Sequence, residues 1–258
     1  MASLHGKIAL VTGSTSGIGK GIAAHFASLG GSVVVHGPDL ASARAIAEKL
    51  GSAGHDCEAV AGDLRNVEAC RQVVRDVVKR RGGIDILINN AATTARASLE
   101  EATVEQWDTI MAVNLRAPFL LLQEAVQSMK TRGGGSIVNI GSINAYVGLA
   151  QLGPYSVSKG GLMTMTKNAA LALGRYRIRV NQLNVGWTLT EGEDAVQQSD
   201  GKGPDWLQDA IKTRPFGRLL LPADIANAAA YFASDGSAAV SGAVIDVEQF
   251  PLGGLEPW

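Results

Sequence analysis

Ile8-Ala9-Leu10-Val11 is an apolar run with no polar alternation, and Thr12-Gly13-Ser14-Thr15-Ser16-Gly17-Ile18-Gly19 follows it directly. A strand wetted on one face alternates. An unbroken apolar run belongs to a strand covered on both faces, the usual condition inside a parallel sheet. From residue 18 to residue 29 the pattern becomes that of an amphipathic helix, closed by Gly30-Gly31. Gly13 and Gly17 therefore stand between a buried strand and a helix N-terminus, with Gly19 in the helix's first turn. Glycine permits a tight turn and close backbone approach, and the helix end offers unpaired N–H groups and a positive dipole, so the junction suits a pyrophosphate and predicts dinucleotide binding.

The same alternation continues down the chain. Val33-Val34-Val35 reads as a second strand, Cys57-Glu58-Ala59-Val60 as a third, Ile84-Asp85-Ile86-Leu87-Ile88 as a fourth, and Ser136-Ile137-Val138-Asn139-Ile140, ending at Gly141-Ser142, as a fifth. Helical spacing fills residues 40–50, 67–80 and 104–129 between them. This predicts an α/β fold, a doubly wound parallel sheet of Rossmann type with helices on both faces. No linker, low-complexity run or short-period repeat divides it, so residues 1–258 are expected to form one domain. Ligands of such sheets gather beyond the strand C-termini, where the strand order reverses.

Several classes of function are disfavoured by what is missing. With 18% charged residues and a formal net charge of -1, the chain has no basic footprint for nucleic acid and no polybasic membrane anchor. No apolar run approaches the roughly 20 residues that cross a bilayer, and the first residues carry no apolar signal segment, so a cytoplasmic protein is expected. Cys57 and Cys70 are too few for a disulfide framework and sit in no zinc pattern. His5, His25, His36 and His55 all fall in the first quarter, form no HExxH metal signature, and read as surface or structural; no metal site is expected. Ser142 lies in Ile140-Gly141-Ser142-Ile143-Asn144 and not in a GxSxG elbow, which argues against a hydrolase.

Tyr155 and Lys159 are four apart and share one helix face. An ammonium near a phenol favours the phenolate, so a group whose ordinary pKa is about 10 could act as acid or base near neutrality. Asn114 sits in the apolar stretch Ile110-Met111-Ala112-Val113-Asn114-Leu115. Its amide is either satisfied by local backbone or, given a kink and an internal water, part of a proton route. Asp39 either accepts from a ribose 2'-OH or caps the following helix. No Arg or Lys occurs in the glycine loop before Ile18 or between His36 and Asp39, which favours NAD over NADP, with Arg44 keeping NADP open. Asp63 is placed to receive an adenine amino group, and Asn89-Asn90-Ala91-Ala92 either approaches the same crevice or stabilises a turn.

TGxxxGIG at Thr12 to Gly19, the Asn89-Asn90 pair, Asn114, Ser142 and Tyr155-x-x-x-Lys159 occur together and in order. The chain thereby resembles the short-chain dehydrogenase/reductase family over nearly its whole length, including a PGxxxT-like segment from Val185 to Thr190. The resemblance implies about seven parallel strands, a nicotinamide cofactor and a homotetramer or homodimer. It implies Tyr155 as general acid/base, Lys159 lowering its pKa and holding the nicotinamide ribose, Ser142 on the substrate oxygen, and Asn114 positioning a water that links Lys159 to solvent. For the cofactor it implies Gly13, Gly17 and Gly19 with Thr15, Ser16 and Ile18 around the pyrophosphate, Asp63 and Leu64 at the adenine, and Asn90 and Ala91 at the adenosine ribose. Gly186, Thr188 and Thr190 are placed at the nicotinamide end. Ala92 replaces a glycine of the family pattern and Val185 a proline.

Residues 190–215 carry Glu191, Glu193 and Asp194, then Gly201 and Gly203 and a short helix over residues 206–212, the composition of a lid. With Asn144, Gln151 and Trp187 these carboxylates suggest a hydroxyl-bearing substrate such as a sugar or polyol, oxidised or reduced at a secondary alcohol or ketone. A solvated surface loop is the plain alternative. Two other readings are an NADPH-dependent ketone or acyl-thioester reductase, and a nucleotide-binding protein without catalysis.

Overall fold

The computed structural model describes residues 2–146 and 148–251, except for the side chain of Asp194. In chain order its elements are β1 (Ile8–Val11), α1 (Gly17–Ser28), β2 (Ser32–Gly37), α2 (Leu40–Ser52), β3 (Cys57–Ala61), α3 (Val67–Arg81) and β4 (Ile86–Asn89). Then come α4 (Val104–Met111), α5 (Ala117–Thr131), β5 (Gly135–Ser142), α6 (Gly153–Leu173) and β6 (Ile178–Val185). The chain continues through α7 (Glu193–Ser199), α8 (Trp206–Lys212), α9 (Pro222–Ala233) and β7 (Val244–Val247). The strands form one seven-stranded sheet in the order β3-β2-β1-β4-β5-β6-β7, and every neighbouring pair is parallel. Among the described residues no helix is long and apolar enough to cross a membrane.

The unbroken apolar runs are explained by two cores. Ala9 and Val11, Val33 and Val35, Ile86 and Ile88, Val138 and Ile140 face a layer containing α1 and α9. Their alternates Leu10, Val34, Leu87 and Ile137 face α3, α5 and α6. Each large apolar side chain so buried contributes about 1.5–3 kcal/mol, so neither face of the sheet can be turned to water. The fourth strand begins two residues later than its apolar pattern suggests, because Asp85 is a cross-link. Its carboxylate accepts from the backbone N–H of Ile8 at 2.8 Å and from Arg132 Nε at 2.7 Å.

The helical pattern over residues 104–129 is interrupted. A π turn, Ala112–Arg116, joins α4 to α5 and brings Asn114 fully inside. An inserted residue of this kind bends a helix and redirects one side chain. The strand order reverses between β1 and β4, where Thr12 N–H donates to the Ile88 carbonyl at 3.0 Å. The crevice beyond these ends encloses about 1130 Å³.

Candidate active site

One half of the crevice is a backbone cradle. Gly13 has φ +61, and a Cβ there would lie 2.8 Å from the Cα of Ala91; a methyl at Gly19 would collide with the Gly13 carbonyl and the Asn90 amide. Ser16 precedes α1 in an extended conformation, and its side chain makes no cap hydrogen bond. The first turn of α1 contains no acidic residue, although helices commonly place one there. Gly17, Ile18 and Gly19 thus present uncapped N–H groups to the crevice, beside Thr15 and Ser16. This donor set fits the pyrophosphate of a dinucleotide.

The loop is pinned by Thr12. Its hydroxyl donates to the Ile88 carbonyl at 3.0 Å and accepts from the N–H groups of Asn90 and Ala91 at 3.0 and 3.1 Å. Asn90 spends its side-chain amide on the Thr12 and Gly13 carbonyls, so it shapes the loop from behind. Asp63 and Leu64 line the crevice at the end of β3, with the Asp63 carboxylate held by Arg65 Nε at 2.9 Å. Of the two readings of Asp39, its hydrogen bonds carry the helix cap. Its carboxylate accepts from Ser42 N–H at 2.8 Å and Ser42 Oγ at 2.7 Å, which makes it the cap of α2, and it is not among the crevice residues; Pro38 takes that place.

His36, read from sequence as surface or structural, is buried within this wall. Nδ1 accepts from Gly13 N–H at 3.2 Å, and Nε2 donates to the Gly62 carbonyl at 3.1 Å in the tautomer that satisfies both. Burial lowers its pKa from 6.5 to about 4. The unfolded chain takes up the proton near 6.5 and the folded one does not, so stability is whole above that pH and drains as pH falls toward 4, by about 3 kcal/mol at most. We expect the urea midpoint to fall more steeply between pH 7 and 4.5 in wild type than in His36→Gln. Parallel pH profiles would show that the imidazole is not held neutral.

At the far end of the sheet, the last residue of β5 meets the first two turns of α6. Ser142 ends β5 in extended conformation, and its Oγ accepts from Asn144 N–H at 3.2 Å. Tyr155 follows Pro154 in the first turn of α6. Lys159, one turn further, is buried, donates to the Ile140 carbonyl at 2.8 Å and lies 5.7 Å from the Tyr155 ring centroid. Burial raises the phenol above its ordinary range, and the Ser142 hydroxyl pulls it back. Burial also lowers Lys159 to about 8. Desolvation thus opposes charge on both groups, and it works against the favour that a nearby ammonium gives the phenolate.

Asn114 is not part of the crevice wall. Its Oδ1 accepts from Thr93 N–H at 2.8 Å, and Nδ2 donates to the Thr93 carbonyl at 3.0 Å and to Ser158 Oγ at 3.1 Å. Ser158 in turn donates to the Tyr155 carbonyl at 2.6 Å. The amide is thus satisfied by neighbouring backbone even though the kink is present, and it braces the turn of α6 between Tyr155 and Lys159.

Asn144, Gln151, Trp187, Gly186 and Thr188 also line the crevice, as do Ala91 and Thr190, which stand against Gly13 and Gly17 of the cradle. Trp187 stacks on Trp206 of α8 with ring centroids 5.9 Å apart and donates its indole N–H to Glu193 at 2.6 Å. The carboxylates expected to greet substrate are largely engaged elsewhere: Glu191 pairs with Lys20 of α1, and Glu193 also accepts from Gln197 at 2.7 Å. The Asp194 side chain lies outside the described residues. Sequence reasoning missed Arg96 and Asp200, which also line the crevice and pair at 2.6 Å. No motif marks them; only the folded chain brings the segments together. Among the described residues no cluster of His, Cys, Asp and Glu could hold a metal ion.

A family model described as enoyl-(acyl carrier protein) reductase matches residues 13–249. The chain is 36% identical over 246 residues to a D-threitol dehydrogenase of Mycolicibacterium smegmatis, covering 95% of this chain and 92% of the relative. It is 33% identical over 246 residues to a gluconate 5-dehydrogenase of Gluconobacter oxydans, covering 95% and 94%. Its fold superposes with a TM-score of 0.88 on the crystal structure of a gluconate 5-dehydrogenase from Burkholderia cenocepacia in complex with NADP and tartrate, at 29% identity and coverage of 96% and 95%.

Proposed function

Because the chain belongs to the short-chain dehydrogenase/reductase family, we propose that it interconverts one secondary hydroxyl and ketone of a small polyhydroxylated molecule. It is an NAD(P)-dependent oxidoreductase acting on CH–OH groups. The observation that carries the reading is the convergence of Ser142, Tyr155 and Lys159 on one crevice with the glycine cradle. When bound, the nicotinamide supplies or accepts the hydride at the reacting carbon. The Tyr155 phenolate oxygen takes the substrate proton in oxidation and, as the phenol, returns it in reduction, while Ser142 donates a hydrogen bond to the same substrate oxygen. Lys159 holds positive charge behind the phenol and offers donors to the nicotinamide ribose. Asn114 acts through Ser158 and the backbone of α6 as a positioning residue.

The substrate class is supported by Asn144, Gln151 and Trp187 on the crevice wall and by relatives named for threitol and gluconate. The segment of residues 190–215, with α7 and α8, covers that end as a lid. NAD is the preferred carrier in this reading, since Gly37 and Pro38 bring no cation to the end of β2 and the charge of Arg65 is already matched by Asp63. The assembly carried over from the family is a homotetramer or homodimer. A panel of alditols, aldoses, aldonates, simple ketones and acyl thioesters, run with NAD(H) and NADP(H) separately, tests the reaction, the substrate class and the carrier. Turnover is expected on polyhydroxylated compounds with NAD. Preferential reduction of simple ketones or acyl thioesters by NADPH would reject it, and cofactor binding without any turnover would leave a nucleotide-binding protein.

A further inference from the structure

The crevice holds a charged pair that the chemistry above does not use. Arg96 stands beside Ala97, which forms a parallel bridge with Leu152. Ala97 N–H donates to the Gln151 carbonyl at 2.8 Å, and Gly153 N–H donates to the Ala97 carbonyl at 3.2 Å. The backbone that carries Arg96 is thereby fixed to the entry of α6, just ahead of Tyr155. The side chain itself reaches into the crevice, is 32% exposed, and makes one ion contact, to Asp200 at 2.6 Å. No other hydrogen bond or ion pair joins it to a described residue.

Among the described lining residues at this end the charges balance, Arg96 and Lys202 against Asp200 and Glu193, so what favours an anion is the unfilled donor fork of the guanidinium. Glu193 is already bonded into the wall by neutral donors, the Trp187 indole and the Gln197 amide. Lys202 adds a second cation to the lining and has no ion pair with a described residue. A guanidinium recognises a carboxylate through a planar fork of donors, and only one of its contacts is taken up by Asp200. An ion pair whose side chains are still 32% and 25% exposed is partly screened by water and contributes little to holding a lid shut, so exchanging Asp200 for another carboxylate costs little. A neutral polyol would gain nothing from displacing it.

Building on the polyhydroxylated substrate proposed above, we infer that the substrate carries a carboxylate, as a polyhydroxy acid of aldonate type, and that Arg96 binds it. Asp200 is the guanidinium's resting counter-ion and competes with the substrate. The two variants therefore act in opposite directions. Measured by calorimetry on the cofactor-loaded protein, Arg96→Gln raises the ratio of the Kd for D-gluconate to the Kd for D-glucitol at least tenfold. Asp200→Asn lowers that ratio several-fold. If the pair were only a lid clasp, both variants would shift both ligands alike, and that result overturns the inference. Wild type that binds and oxidises D-glucitol or D-threitol but neither D-gluconate nor D-threonate also overturns it, while leaving the polyol reading in place. Binding of D-gluconate through Arg96 without turnover of any polyhydroxylated compound supports the anion site and rejects the proposed reaction.

Discussion

Tyr155→Phe is expected to lower turnover at least a thousandfold, with dinucleotide affinity kept within about threefold of wild type. The substitution isolates one atom. The ring stays packed in the first turn of α6, Lys159 keeps its place above it, and Ser142 keeps its hydroxyl at the end of β5. Only the group that exchanges a proton with the substrate oxygen is lost. Because burial lifts the phenol above its ordinary range, wild-type oxidation, which begins with the phenolate, gains rate as pH rises. Reduction, which begins with the phenol, loses rate over the same interval. The variant lacks both limbs. Single-turnover rates across pH in each direction, with dinucleotide titrations alongside, provide the check. Residual turnover above a tenth of wild type, with its pH dependence intact, would remove Tyr155 from the acid/base role.

The parts of this site that were legible in the sequence are those whose chemistry is local. The strand–glycine–helix junction announces itself because a buried strand, a positive-φ turn and an uncapped helix must follow one another within a dozen or so residues. Tyr155 and Lys159 share a face by helical spacing alone. Helix α8 was placed at its observed bounds, and Ser142 at a strand end. What escaped were contacts made across the sequence. Nothing local says that Asp39 caps α2 through Ser42, which donates to both its oxygens. His36 lies 23 positions from Gly13 in the chain and 3.2 Å from its N–H in the fold. Arg96 and Asp200 are joined only because the bridge from Ala97 to Leu152 brings one segment to the crevice and α7 delivers the other. Asn114 shows the intermediate case. A polar residue in an apolar stretch signalled a special site, but its partners, the Thr93 backbone and Ser158, depended on a π turn that periodicity does not encode.

Lys159→Met should separate stability from activity more sharply than any other change in the site. The wild-type amine is buried, and burial lowers its pKa from 10.5 to about 8. Below about 8 the folded protein carries a buried ammonium that the unfolded chain would solvate better. The associated loss of stability is absent above 10.5, grows as pH falls, and is complete below the folded value, at about 3 kcal/mol. Methionine has similar length and no charge. Removing the hydrogen bond to the Ile140 carbonyl returns about 1–2 kcal/mol of that gain, so the variant is expected to be about 1–2 kcal/mol more stable at pH 7. It also loses the rise in stability between pH 8 and 10.5. Turnover should fall at least a hundredfold, because no positive charge then stands behind the phenolate, and dinucleotide affinity should fall about tenfold with the ribose donor gone. A charged group kept in a site that would be more stable without it is the expected signature of a functional residue. Chemical denaturation at pH 7 and across pH 8 to 10.5, set beside turnover and dinucleotide titration, tests both halves. A variant less stable than wild type at pH 7, with an unchanged slope at alkaline pH, would mean that Lys159 is a structural donor to β5 and not a charge maintained for catalysis.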